Sequence, residues 1–311
     1  MERILEYQIG INENGWSVKR FLEVKGYSHA VIVLLKKTAN GITVNGTWYY
    51  INDTLYTGDV LRITIRETAE SAHIPPVLLP LAIPYEDDDI LIADKPADMP
   101  VHPSMNNYDN TLANAVLYHW KESGCICPFR CINRIDRDTT GLVLIAKHAL
   151  SGAILSRQMI QRDIHRTYLA IVKGETPPSG SICAPIARKE LSAIERTIDF
   201  AHGEAATTHY IRIATHDGLS LLALQLETGR THQIRVHMKH IGYPLIGDFL
   251  YHPDMSRIQR QALHSWRLTF LHPITGTPCC FLAPLPKDMA SLFPDITEEM
   301  LINQIPDSFG T

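Results

Sequence analysis

The chain has 311 residues, 45% of them apolar and 20% charged, and this globular composition excludes a mainly disordered, collagen-like or coiled-coil protein. Its length suffices for two domains with real cores, whereas a net charge of −4 argues at face value against a nucleic-acid-binding protein. Six cysteines are too few for a disulfide scaffold, and residues 1–12 lack the pattern of a signal peptide. Every apolar run falls short of the roughly 20 residues that a membrane span needs. We therefore expect a cytoplasmic protein without a membrane segment.

The first predicted elements are two short helices and a hairpin. Apolar residues recur at helical spacing on either side of Ser28, which is placed to cap the second helix (Val18, Phe21, Leu22, then Val31, Leu34, Leu35). Gly41–Gly46 predicts a strand that runs into an Asn-Gly turn, and Gly58-Asp59 introduces a second strand over Val60–Ile65. This order predicts a small α+β module.

The charge changes sign sharply after this module. Ser17–Arg66 has a net charge of +4, and Glu67–Asp98 has a net charge of −7. Four prolines within Ser71–Pro84 disfavour regular structure there. The sequence thus predicts a small domain over 1–68, a linker over 69–83 and a larger domain over 84–311.

The larger domain is rich in strands. The pattern predicts helices over Thr111–Lys121 and Gly152–Arg162. It predicts strands over Asp89–Ala93, Gly141–Lys147, Thr167–Val172, Thr207–Ala214, Leu219–Leu226, Arg267–Phe270 and Pro278–Leu282. Because strands and helices do not alternate regularly, we expect an α+β fold with a mixed, largely antiparallel central sheet.

Neither a cofactor nor a metal ion is predicted. The chain has no Gly-rich phosphate fingerprint, Walker loop or nucleophile elbow. Cys125, Cys127 and Cys131 cluster, but they lack the spacing of zinc ligands and a matching second pair. The 15 histidines show no metal-binding spacing either. We therefore expect chemistry that side chains alone perform.

Two charged stretches can perform such chemistry. Arg134–Gly141 (RIDRDTTG) lies directly before a buried strand and, taken alone, is typical of a solvated turn with local ion pairs. Thr228–His237 (TGRTHQIRVH) follows the strand Leu219–Leu226 and is expected to open a helix with Ile234, His237 and Met238 on one face. Arginine at the start of a helix is unfavourable against the helix dipole. We therefore expect an anion nearby, either phosphate or carboxylate.

Both stretches resemble the signature sequences of the RluA-type RNA pseudouridine synthases. Further matches follow in family order between roughly Pro84 and Pro286, namely Asp94-Lys95-Pro96, Val101-His102-Pro103, Arg166–Gly174, Ala206–Tyr210, Gly242–Asp248, Leu263-His264 and Phe270–Pro273. The N-terminal module in turn resembles the small RNA-binding domain named after ribosomal protein S-four, with Lys36-Lys37 leading into Gly-x-x-Val-Asn-Gly. In that family, the basic side chains face structured RNA.

The resemblance implies that the chain isomerises uridine to pseudouridine in RNA, without a cofactor. It assigns the essential carboxylate to Asp136, which either attacks the anomeric carbon or takes a sugar proton. It assigns the positive charge that keeps this carboxylate ionised to Arg235. Tyr168 corresponds to the family's active-site tyrosine, which stacks on the flipped base.

Other residues are expected to bind RNA or to shape the site. These are Arg134, Lys95, Arg230 and His232, with Leu245 or Ile246 as an apolar wall and Lys36 and Lys37 on the N-terminal module. Asn133 stands where the family usually has His, which questions an acid-base role at that position but leaves Asp136 in place. Residues 130–166 and 230–267 each carry a net charge of +4, so we expect a basic surface around Asp136 with the acidic segments away from it.

Three alternatives remain open at this point. Large-subunit ribosomal RNA is favoured as substrate by family analogy, with transfer RNA second. A non-catalytic RNA-binding or assembly protein on the same fold is a competing class, for which Asn133 is the support. A hydrolase that uses Asp136 and Asp138 is a third, weaker alternative. The family default is a monomer.

Overall fold

The computed structural model of the chain describes residues 1–67, 71, 73–192 and 194–309. The described helices, which follow a short 3-10 turn (Ile11–Glu13), are α1 (Val18–Val24), α2 (His29–Lys37), α3 (Leu112–Glu122), α4 (Ala149–Gln161), α5 (Gln233–His240), α6 (Lys287–Ala290) and α7 (Glu298–Gln304). The described strands are β1 (Glu2–Gln8), β2 (Ile42–Val44), β3 (Thr47–Trp48), β4 (Val60–Arg66), β5 (Ala82–Glu86), β6 (Ile90–Lys95), β7 (Arg130–Cys131), β8 (Thr140–Ala146), β9 (His165–Lys173), β10 (Ser179–Cys183), β11 (Ile186–Arg188), β12 (Arg196–Ile198), β13 (Thr207–His216), β14 (Leu219–Leu226), β15 (Leu263–Leu271) and β16 (Pro278–Leu282).

The N-terminal part forms a sheet of four strands in the order β1-β4-β2-β3, and its apolar core also includes Leu150 of α4. Both predicted helices are present, and the hydroxyl groups of Ser17 and Ser28 accept hydrogen bonds from the backbone of α1 and α2. Asn45 and Gly46 have φ angles of 51° and 82°, as a tight hairpin turn requires. Strand β1 was not predicted.

The predicted linker contains regular structure at its end. Strand β5 begins at Ala82 and pairs antiparallel with β6, although it contains Pro84. Its pairing is irregular between Ala82 and Tyr85, and β5 lies at the edge of the sheet, where a proline is tolerated. The expectation of an irregular segment up to Pro84 is therefore wrong for its last residues. Residues 68–70 and 72 of the predicted linker lie outside the described part of the chain.

The larger part is built on a mixed, largely antiparallel sheet, as predicted. Its main path runs β10-β13-β14-β9-β15-β8-β6-β5, with β15 and β8 parallel and the other pairs antiparallel. Alternate side chains form two apolar layers. One layer packs against α3 and α5, and the other packs against α4, α6 and α7.

Gly141 allows the parallel strands β8 and β15 to meet. Its φ angle is +105°, and a Cβ atom at this position would lie 2.3 Å from the backbone oxygen of Ser265. Only glycine fits such a close approach. The contact brings the loop before β8, which carries Asp136, beside β9 and the start of α5.

Candidate active site

An open cleft of about 990 Å³ lies between the loop before β8, strand β9 and the start of α5. Its lining includes two carboxylates, those of Asp136 and Glu227, and the arginines Arg134, Arg137, Arg162, Arg166, Arg230 and Arg235. No described residue of the acidic segment 67–98 lines it. The lining thus carries six arginines against two carboxylates, as expected around Asp136, although Asp98 of the acidic segment lies 3.7 Å from Arg137 at its edge.

Asp136 and Arg235 form an ion pair inside this cleft. Nη1 of Arg235 donates a hydrogen bond of 2.9 Å to Oδ2 of Asp136. The Asp136 side chain is 24% exposed and that of Arg235 only 2% exposed, so the carboxylate faces the cleft while the guanidinium lies behind it. The structure thus brings together the two residues that the resemblance paired, and their catalytic roles remain predictions.

Asp248 fixes the guanidinium from the other side. Its two oxygens accept hydrogen bonds of 2.7 and 2.8 Å from Nε and Nη2 of Arg235, and its carboxylate is fully buried. Burial by itself lowers the pKa of Arg235, but hydrogen bonds and charges of Asp248 and Asp136 outweigh it and raise the pKa above its usual value. The role of Asp248 was not predicted. Its place in the matched stretch Gly242–Asp248 is the one sequence signal that pointed to it.

The start of α5 is shaped by hydrogen bonds from side chains. His232 precedes the helix with a φ angle of 58°, and its Nδ1 lies 2.9 Å from the hydroxyl of Tyr251. Its Nε2 lies 3.9 Å from Oδ2 of Asp136. Burial lowers the pKa of His232, as does Arg235, while Asp136 opposes the shift. The sequence predicted either a phosphate or a carboxylate near this helix start. The structure places two carboxylates there, those of Asp136 and Asp248.

Tyr168 lies on β9 with its side chain at the cleft. It pairs with Leu224 on one side and Ser265 on the other, and it is 4% exposed. Burial raises the pKa of Tyr168, and the charge of Arg166 opposes this shift. The ring is therefore a neutral, fixed wall of the cleft.

Arg134 and Arg230, the two arginines predicted to bind RNA, line the cleft, whereas the three predicted lysines do not. Arg134 is exposed at its mouth, and Arg230 forms an ion pair with Glu204 and donates to the backbone of Ala205. Lys36 and Lys37 are exposed in the last turn of α2, outside the cleft lining. Their contacts with RNA remain predictions.

Lys95 is not a surface contact for RNA. Its side chain is fully buried, and its ammonium donates to the backbone oxygens of Pro96 at 2.6 Å and Arg137 at 2.8 Å. Burial lowers the pKa of Lys95 to about 7, although the charges of Asp138 and Asp136 oppose the shift. Of the two roles expected for Lys95, RNA binding or shaping of the site, the structure favours the second, because Lys95 binds the loop that carries Asp136.

The apolar wall was assigned to the wrong residues. Leu245 and Ile246 lie beside β9, where their side chains enter the two opposite apolar layers of the sheet, and neither lines the cleft. Successive side chains in an extended segment point to opposite faces, and both faces are packed here. The aliphatic lining comes instead from Val101, Ile132, Ile135, Met159, Ile160, Leu226, Ile234 and Leu263.

Asn133 has a structural position beside β8. Its Nδ2 donates to the backbone oxygen of Leu142 at 3.2 Å, and its Oδ1 accepts from the backbone N–H of Leu144 at 2.7 Å. The side chain is buried, and both ends of its amide bind the strand. The departure from the family's usual His therefore leaves the Asp136–Arg235 pair intact.

Among the described residues, one group has the proximity of metal ligands, and it lies away from the cleft. Asp87, Asp89 and His272 form this group. His272 binds Asp87 at 2.9 Å, while Asp89 binds Arg3 and His148 at 2.7 and 2.8 Å. Side-chain partners within the protein thus already occupy both carboxylates. None of the described helices has the length and apolar character needed to cross a membrane.

Comparison with known proteins agrees with this geometry. A sequence model described as RNA pseudouridylate synthase matches residues 89–240. The chain is 37% identical over 277 residues to YjbO of Bacillus subtilis, an uncharacterized RNA pseudouridine synthase, covering 89% of this chain and 98% of that protein. It is 43% identical over 236 residues to ribosomal large subunit pseudouridine synthase D of Zymomonas mobilis, covering 71% of this chain and 74% of that relative.

A solved structure shares the fold. Human RNA pseudouridylate synthase domain containing 1 superposes with a TM-score of 0.59 at 24% identity, covering 76% of this chain and 99% of that one. The predicted fold class is thereby confirmed. The chain therefore belongs to the family of RNA pseudouridine synthases, enzymes that act on RNA.

Proposed function

We propose that this enzyme converts specific uridines of large-subunit ribosomal RNA into pseudouridine, with Asp136 as its essential carboxylate. The bond between C1′ of the ribose and N1 of the base breaks, and a bond between C1′ and C5 forms. The proton on C5 leaves to solvent, and N1 gains a proton. The reaction is therefore redox-neutral, and side chains suffice for it.

The observation that carries this proposal is the hydrogen bond between Asp136 and Arg235. Asp136 acts either as the nucleophile at C1′ or as the base that takes a sugar proton, and both roles need an ionised carboxylate. A buried guanidinium 2.9 Å away favours the ionised form in the cleft. Asp248 holds that guanidinium in place, so the charge is present before the substrate arrives.

The walls of the cleft suit a base that has left its stack. Tyr168 offers a fixed aromatic ring near Asp136, and arginines such as Arg134 line the same cleft. Enzymes that act on a base inside folded RNA extrude it into such a pocket. We infer that the uridine enters beside Tyr168 while the RNA backbone lies across the arginines.

The N-terminal residues 1–68 are proposed as a separate RNA-binding domain, joined through 69–83 to the catalytic domain 84–311. Lys36 and Lys37 are exposed at the end of α2, beside an apolar core that the N-terminal residues form together with Leu150 of α4. Ribosomal RNA is favoured over transfer RNA because several relatives are named ribosomal large subunit pseudouridine synthase D. The cytoplasm is the expected location and a monomer the expected state.

The structure does not favour the competing class, a non-catalytic RNA-binding protein. It rested on Asn133, whose amide binds the backbone of β8. The carboxylate, its guanidinium partner and the aromatic wall lie in one cleft. A hydrolase with two carboxylates is not favoured either, because Asp138 is absent from the cleft lining and is bound by Arg137.

Mapping of pseudouridines at nucleotide resolution tests the proposed substrate. Ribosomal and transfer RNA are compared among the parent strain, a deletion strain, and deletion strains that carry either the wild-type chain or Asp136→Asn. We expect one or more sites in large-subunit RNA to vanish in the deletion strain, return with the wild-type chain and stay absent with Asp136→Asn. Loss of sites in transfer RNA alone would assign the enzyme to that substrate instead.

A further inference from the structure

A second cavity of about 210 Å³ adjoins the cleft. The two share part of their lining, namely Met159, Arg162, Arg166, Leu226 and Glu227. Beyond these shared residues, Ser308 and Phe309 close the second cavity. We call this space the side cavity. The side cavity is therefore a lateral extension of the cleft.

Arg166 lies at the junction of the cleft and the side cavity. Its Nε is buried and has no hydrogen-bond acceptor among the described residues. Buried N–H groups nearly always have a partner, and a charged donor without one is costly. The natural partner for a guanidinium is an anionic oxygen such as that of a phosphate. Nε itself is enclosed, but Arg166 lines both spaces, so its guanidinium offers a phosphate oxygen a charged donor at the junction.

The side cavity combines apolar walls with polar edges. Met159, Ile164, Leu226 and Phe309 supply the apolar surface, and the polar edges come from Arg162, His165, Arg166, His209, Gln225, Glu227 and Ser308. Arg162 is paired with Glu227 at 2.9 Å near the surface, where both side chains are partly exposed. A flat ring with polar edges is the kind of ligand that such walls fit. Nucleobases have this character.

Phe309 is held at the cavity by its backbone. Its N–H donates to Oε1 of Gln225 at 2.9 Å, and Nε2 of the same Gln225 donates to the backbone oxygen of Asp307 at 2.9 Å. Arg267 also binds the Asp307 carboxylate, at 3.0 Å. The Phe309 side chain is partly buried and contributes no side-chain hydrogen bond to this anchor. Its ring is therefore positioned for contact and can be replaced without breaking the anchor.

We propose that the side cavity binds the nucleobase next to the target uridine, with the phosphate between the two nucleotides on Arg166. The base stacks on Phe309, and the uridine lies at Asp136. This two-nucleotide site rests on the proposed function, since it assumes that RNA enters the cleft. It makes the enzyme sensitive to the neighbour of the uridine as well as to the uridine itself.

The test uses the full-length enzyme and an unmodified large-subunit rRNA transcript whose modified uridine has been mapped. Phe309→Ala is expected to raise KM by about 5- to 100-fold, the size of a lost base–aromatic stack, with little change in kcat. Phe309→Tyr should restore most of the loss. Phe200→Ala removes a ring that is 74% exposed and lines neither cavity, and it should leave both constants unchanged. An unchanged KM for a folded Phe309→Ala would overturn the proposal.

Abasic substitution identifies the ligand. Transcripts that lack the base on the 5′ or the 3′ side of the uridine are compared for the wild-type enzyme and Phe309→Ala. For the wild-type enzyme, one of the two abasic transcripts should raise KM by the same factor as the Phe309→Ala substitution does. For the Phe309→Ala enzyme, that transcript should raise KM no further. Additive losses would overturn the proposal. Because Phe309 packs on the core, thermal melting checks folding, and Arg166→Met provides a second variant that is expected to raise KM.

The two proposals fail in different ways. If the wild-type enzyme makes no pseudouridine in any RNA, the proposed function fails, and the side cavity loses its ligand with it. If the wild type is active and both Phe309→Ala and Arg166→Met keep its KM, only the two-nucleotide site fails.

Discussion

Asp248 holds Arg235 from behind with two hydrogen bonds of 2.7 and 2.8 Å, while the opposite edge of the same guanidinium reaches Asp136. The Asp248 carboxylate also accepts from the backbone N–H groups of Leu250 and Tyr251, both at 3.1 Å. Its orientation is thus fixed by the turn that follows. The distance between Arg235 and the proposed catalytic carboxylate therefore depends on a residue that does not touch the substrate.

Asp248→Asn is expected to lower kcat more than it raises KM. The amide keeps the volume but turns one acceptor into a donor, so Arg235 loses one of its two bonds and can move away from Asp136. We expect kcat to fall roughly 10- to 100-fold, which is the effect of mutating residues that orient the ligands of a metal ion. Initial rates over a range of RNA concentrations measure both constants. Asp254→Asn, an exposed carboxylate, is the control, and a change confined to KM would contradict the positioning role.

Gly141→Ala is expected to destabilise the sheet by more than 3 kcal/mol, the range of severe mutations. Its Cβ would meet the Ser265 oxygen at 2.3 Å, and its φ angle of +105° is strained for alanine. Gly218→Ala has a φ angle of +70° but open space around its Cβ, so it isolates the backbone strain, which we expect to cost about 1 kcal/mol. Urea unfolding of both variants measures the difference. Equal losses would show that the close approach of β8 and β15 is not the cause.

His264 is expected to make the fold sensitive to acid. Burial lowers its pKa to about 4, from 6.5. Between these values the unfolded chain binds a proton that the folded chain does not, so stability falls as pH falls from 6.5 to 4 and is fully present above 6.5. The loss due to this residue is about 3 kcal/mol. Urea unfolding at pH 7 and pH 4.5 should show a smaller loss for His264→Gln than for the wild type. The exposed His240→Gln is the control, and identical losses in all three proteins would exclude His264 as the cause.

Lys36 and Lys37 are expected to contact RNA phosphates. Each variant, Lys36→Ala or Lys37→Ala, should lower affinity for the rRNA transcript and reduce the slope of log affinity against log salt concentration by about one. Filter binding at several salt concentrations measures the slope. Lys287→Ala is the control, because α6 packs on the sheet layer opposite Tyr168. Unchanged slopes for the first two variants would remove the N-terminal module from the RNA interface.

Much of the architecture follows from local patterns. Strand β14 was predicted with its observed ends, Leu219–Leu226, because it is buried on both faces and reads as a continuous apolar run. The capped helices of the N-terminal module were also predicted. Strand β1 was not, since its seven residues gain their form by pairing with β4, from Glu2 opposite Arg66 to Gln8 opposite Val60. No local pattern carries such a distant contact.

In the site, too, some features could be predicted from the sequence and others depend on distant contacts. Asp136 and Arg235 were paired through the family resemblance, whereas the burial of Lys95 depends on two carbonyl oxygens, one of which the loop of Arg137 supplies. The sequence around Lys95, the last residue of β6, does not indicate that backbone carbonyl groups surround its ammonium. Leu245 and Ile246 were assigned to the cleft because they are apolar and follow the second signature. The packing of both sheet faces directs them elsewhere.

Tritium release from RNA that carries uridine labelled at C5 measures the role of Asp136 in turnover. Each isomerisation frees the C5 hydrogen to solvent, so released tritium counts turnovers. Asp138→Asn is the matched control, since Asp138 lies two residues further on, outside the cleft lining and bound by Arg137. We predict release at background for Asp136→Asn and near wild-type release for Asp138→Asn, with both proteins folded and bound to RNA. Sustained release by Asp136→Asn would contradict the assignment of Asp136 as the essential carboxylate.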